Sequence, residues 1–151
     1  MKRIWPIFLA VLLLLSGCAA QRRGSTDNTQ FTCWDYGDYS QAEVSAAADA
    51  IKAEFRNNDL YLNTGLDALW FDGSLSDRLA DRYRTDTGSD AADILVFDSL
   101  LQPMGTGPVS WSYSVEYPDQ WLWYVAREGD AFTVVAHGQN DTGVNYSRFG
   151  F

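Results

Sequence analysis

Apolar residues recur along this chain with changing period, and each period predicts an element. Within residues 40–56, Val44, Ala47, Ala48, Ile51 and Phe55 return at steps of three and four, one stripe of an amphipathic helix. Ser40 stands three positions before Glu43, the spacing of a capping box, and Asn57-Asn58-Asp59 ends the pattern. Leu66, Leu69, Trp70 and Phe71 fit neither helix nor strand period cleanly; a strand over 67–71 is expected, after a turn or bulge at Asn63-Thr64-Gly65. Gly73-Ser74 then breaks the chain, and Leu75, Leu79 and Tyr83 mark a short helix over 75–83.

The second half reads as strands. Ile94 to Phe97 run apolar between Asp93 and Asp98, the pattern of a central strand covered on both faces. A loop over 103–108 follows, and Trp111, Tyr113, Val115 and Tyr117 then alternate with polar residues, a half-buried strand. Residues 121–127 and 131–137 flank the turn Glu128-Gly129-Asp130 and form the clearest hairpin signal. The expected fold is α+β: an antiparallel sheet of about four to five strands packed against one long and one short helix.

The amino terminus follows different rules. Lys2 and Arg3 precede an apolar run of 12 residues, Ile4 to Leu15, which as a helix rises about 18 Å and falls short of a roughly 30 Å bilayer core. The run suits an export signal. Leu15-Ser16-Gly17-Cys18 resembles the box of a bacterial lipoprotein signal. That resemblance implies cleavage before Cys18, acylation of its thiol and a lipid-anchored place on the extracytoplasmic face of the cell envelope. Ala19 after the cysteine, where an inner-membrane retention signal would carry Asp, implies the outer membrane in a Gram-negative cell. Expected boundaries are a signal peptide over 1–17, a lipidated flexible tether over 18–34, one domain over 35–139 and an irregular tail over 140–151.

Composition narrows the chemistry. With 20 acidic against 11 basic side chains and a net charge of −9, the chain lacks the basic surface that nucleic acid requires. The same excess repels anionic lipid, so the membrane contact is expected to run through the acyl group. Cys33 is then the only unmodified thiol, which forbids an intrachain disulfide.

No enzyme motif matches. Asp86-Thr87-Gly88 and Asp141-Thr142-Gly143 repeat the local pattern of aspartic proteases, but polar surroundings favour simple turns. Asp86, Asp90 and Asp93 lack the alternation of a calcium loop, and one histidine with one distant thiol makes no zinc set. No metal or other cofactor is expected. His137, the sole histidine, is a candidate general base with Asp98 or Asp72, which would make the protein an envelope hydrolase. The alternative lead is aromatic: Trp111, Tyr113, Tyr117, Trp121, Trp123 and Tyr124 form either core or a binding surface for an envelope protein, peptide or glycan.

The hairpin from Gln120 to Gly138 also resembles that of small uncharacterised lipoproteins of Gram-positive bacteria, which implies an NTF2-like or cystatin-like sheet curled over helices. It implies no activity. The leading expectation is a membrane-tethered binding or accessory domain.

Overall fold

Ser40 closes the long helix as its spacing requires. Its Oγ accepts the Glu43 N–H at 3.3 Å, and Glu43 Oε2 accepts the Ser40 N–H at 2.7 Å. In the computed structural model, which describes residues 22–91, 93–105 and 120–139, this helix is α1 (Gln41–Asn57), and it buries all five residues of the apolar stripe. A single 3-10 turn over Asp59–Tyr61 follows, capped by the Asn58 side chain.

Among the described residues five strands form one sheet: β1 (Gln30–Asp35), β2 (Thr64–Asp72), β3 (Ile94–Pro103), β4 (Gln120–Glu128) and β5 (Ala131–Gln139), in the spatial order of the chain itself. With α1 and a second helix, α2 (Gly73–Thr87), the protein is an α+β domain with a five-stranded sheet packed against two helices. The sheet is mixed rather than antiparallel, because β1 runs parallel to β2. A helix between two strands returns the chain to the end from which it started, so α1 imposes that direction. The remaining pairs are antiparallel, and β4–β5 is the expected hairpin.

Three boundaries differ from the sequence reading. Gln30–Asp35 is a strand, although the tether was expected to run to residue 34. β2 begins at Thr64 and not at 67: only Asn63 takes the positive φ of a turn, 58°, and an irregularity between Leu66 and Ala68 resolves the mixed hydrophobic period. The second helix is longer than 75–83. Asp72 Oδ1 accepts the Leu75 N–H at 2.9 Å to start it, and Gly88, at φ 67°, ends it in the left-handed conformation glycine favours. Asp86-Thr87-Gly88 is thus a helix terminus. The aromatic strand expected over 111–117 and the tail over 140–151 lie outside the described residues.

Period-two alternation sorts the sheet into two faces. Leu95, Phe97 and Leu101 of β3 join Trp123 and Val125 of β4 beneath α1. Ile94, Val96 and Leu122 pack beneath α2 against Leu75, Leu79 and Ala80. Where β2 gives way to α2, the buried Ser76 Oγ accepts the Val96 N–H at 2.8 Å, so the helix takes over a ladder bond as the strand ends.

The chain is already tied to this body at Arg22. Asn63 N–H donates to the Arg22 carbonyl at 2.7 Å, and Arg22 N–H donates to Asn63 Oδ1 at 3.1 Å. Ser25 bonds Thr64 and Leu66 through its backbone at 3.0 and 2.9 Å. Between them Gly24 lies so close to α1 that a Cβ there would stand 2.6 Å from the Phe55 carbonyl oxygen. From Arg22 onward the segment is a strap on the domain, not a free linker.

Candidate functional site

The α1 face of the hairpin gathers Trp121, Trp123 and His137. β4 and β5 pair Trp123 with His137, and the 3-10 turn after α1 inserts Tyr61 against both rings. Tyr61 is fully buried and stacks on Phe55 at 4.4 Å between ring centres. Its hydroxyl oxygen accepts the Trp121 Nε1–H at 3.0 Å and lies 2.9 Å from His137 Nδ1. An indole N–H can only donate. Among the described residues Tyr61 makes no other hydrogen bond through its hydroxyl, which assigns its proton to Nδ1 and His137 to the Nε2–H tautomer.

Electrostatics agrees with that assignment. Burial raises the Tyr61 hydroxyl well above its ordinary value and keeps it a donor. Burial also lowers His137 below its ordinary 6.5, opposed by the charge of Glu54 on α1. Next to this group, Trp123 Nε1 donates to Ser99 Oγ at 2.8 Å, and Ser99 Oγ donates to the Trp121 carbonyl at 2.9 Å.

Asp98 occupies the other face. In the register it stands between Trp70 on β2 and Leu122 on β4, one residue out of phase with Phe97 and Ser99. It is 3% exposed. Oδ1 accepts the Ser99 N–H at 2.7 Å, whereas Oδ2 has no hydrogen-bond partner among the described residues. Burial pushes its pKa up to about 8, against backbone hydrogen bonds from Ser99 and Trp121 that favour the ionised form. Burial thus favours the neutral carboxylic acid over the carboxylate. Beside it, half-buried Trp70 stacks with Trp34 of β1 at 6.4 Å and 14°.

The expected catalytic pairings therefore do not form. The sheet separates His137 from Asp98, and Asp72 is engaged at the start of α2. The described aromatic candidates are divided as well. Trp123 is wholly buried, Trp121 is tied to Tyr61, and Tyr124 stacks on Tyr83 of α2 at 4.5 Å on the opposite face. Trp111, Tyr113, Tyr117 and Cys18 lie outside the described residues. Cys33 is half-buried against the α1 core, and burial raises its thiol pKa, which disfavours the reactive thiolate.

A second polar cluster joins α1 to the hairpin. Arg127 Nη1 lies 2.7 Å from Glu43 Oε1 and 3.6 Å from Asp93 Oδ2, while Tyr39 donates to Asp93 Oδ1 at 2.8 Å. Asp93 thus braces a strand end. Among the described residues no three His, Cys, Asp or Glu side chains could hold a metal ion.

Sequence reasoning did not single out Tyr61 or Trp34, and it placed Trp70 in a strand without giving it a partner. Each lies outside any clean apolar period, and only the fold brings it to its partners. Comparison with known protein families, curated proteins and solved structures finds no match to this chain.

Proposed function

We propose that this protein is a lipid-anchored domain on the extracytoplasmic face of the cell envelope, with a binding or accessory role. The anchor rests on the order of positive residues, apolar run and Leu15-Ser16-Gly17-Cys18. One observation carries the non-catalytic half: His137 Nδ1 is engaged by Tyr61, and the carboxylate nearest in the strand register belongs to the other face. A histidine base usually needs a carboxylate or carbonyl to orient the imidazolium it forms. Here a buried phenol holds the ring instead. The ligand class that suits such a domain is an envelope protein, peptide or glycan.

Metabolic labelling with an alkyne fatty acid tests the anchor. Wild type is expected to take up label and to stay with membranes through a salt wash; Cys18→Ser loses both properties. A mature chain whose mass shows no acyl group overturns this half. Screening His137→Gln and Asp98→Asn on cell-wall substrates tests the other half. Loss of a hydrolytic activity that wild type possesses would make the protein an enzyme.

A further inference from the structure

We infer that the anchored domain lies directly on the bilayer in one orientation, with the end formed by Arg22, Arg23, Leu62, Asn63 and Met104 against the lipid headgroups. The inference rests on acylation of Cys18 and adds to it the consequence of the strap.

Four residue steps separate Cys18 from Arg22, whose backbone is bonded to the body. Fully extended, four steps span at most about 14 Å. A domain held so closely by one corner cannot tumble at a distance.

The bonded corner is well defined. Asn63 bonds Arg22 on one side and accepts the Met104 N–H at 2.7 Å on the other, so the strap, the start of β2 and the end of β3 share it. Because β4 starts beside the end of β3, Gln120 belongs to the same end and the 128–131 hairpin turn to the opposite one.

Charge is distributed along the same axis. Among the described residues near the strap, Arg22, Arg23 and Arg56 stand against Asp27, Glu54, Asp59 and Asp67. At the far end Asp35, Asp38, Asp72, Glu128 and Asp130 outnumber Arg127, which is itself engaged by Glu43 and Asp93. Anionic headgroups therefore repel the far end of the described domain more than the near one. Strap length and charge select the same orientation.

The test uses the mature acylated protein, purified from membranes and reconstituted in phosphatidylglycerol–phosphatidylcholine vesicles that carry nitroxide headgroups. In a Cys33→Ser background, Gln102→Cys reports the near end and Asp130→Cys the far end, both at exposed positions. A fluorophore on Gln102→Cys is expected to be quenched severalfold more than one on Asp130→Cys. Adding Gly24→Ala, which drives a methyl into Phe55 and lifts the strap, is expected to remove most of that contrast while acylation persists. Equal quenching at the two sites of an acylated protein overturns the orientation and leaves the anchor standing. Absence of acyl mass overturns both.

Discussion

Two titrating residues lie on opposite faces of the sheet and act on stability in opposite directions. Asp98 is raised from its ordinary 3.8 to about 8 in the fold. The unfolded chain loses this proton first, so the stability present below about pH 4 is lost as pH rises towards 8. Asp98→Asn removes that loss and is expected to gain on the order of 4 kcal/mol at neutral pH relative to its effect at pH 4, read from urea unfolding at the two values. His137 is lowered by burial, so its contribution is present above its ordinary 6.5 and is lost as pH falls below that value. His137→Gln should flatten the acid limb of the stability profile; an unchanged limb would remove His137 as its origin. Tyr61→Phe leaves the Trp121 Nε1–H and His137 Nδ1 without their partner. A buried polar group left unsatisfied costs about 1–3 kcal/mol, and thermal unfolding will register a loss of that size.

Elements whose signals are local were the legible ones. α1 carries its cap, its stripe and its stop in consecutive residues, and Ser40→Ala is expected to cost about 1 kcal/mol in chemical denaturation. The hairpin was legible for the same reason, since its turn and alternation adjoin. β1 was not. Gln30–Asp35 becomes a strand only by pairing with Ala68–Asp72, across the whole of α1, and no local period records a distant parallel partner. The start of α2 was missed because Asp72 is at once the last residue of a strand and the cap of a helix. Ser76 shows how that junction is held: Ser76→Ala deprives the Val96 N–H of its acceptor, and a loss of about 1–3 kcal/mol in the same assay is expected. At the site, His137 and Asp98 were visible as rare or flanked residues. Their separation was not, because it depends on strand parity, which shifts with every bulge.

At the scale of the whole molecule, the two cores are the two faces of a single sheet. β3 supplies Leu95 and Phe97 to one and Ile94 and Val96 to the other. Neither core can dissolve while its counterpart stays packed on the same strand. Tryptophan fluorescence, to which buried Trp123 contributes along with the other indoles, and far-ultraviolet circular dichroism are therefore expected to give coincident unfolding transitions. Two separated midpoints would show that the faces melt independently.

The sheet has one more property, which belongs to assembly. Its five described strands stand side by side in the order in which they are synthesised. A chain that emerges amino terminus first, from a ribosome or through a pore, completes the β1–α1–β2 unit before anything else is needed. Each later strand then docks on an edge that is already outside and waiting, so growth proceeds from one side without any segment having to be threaded between two others.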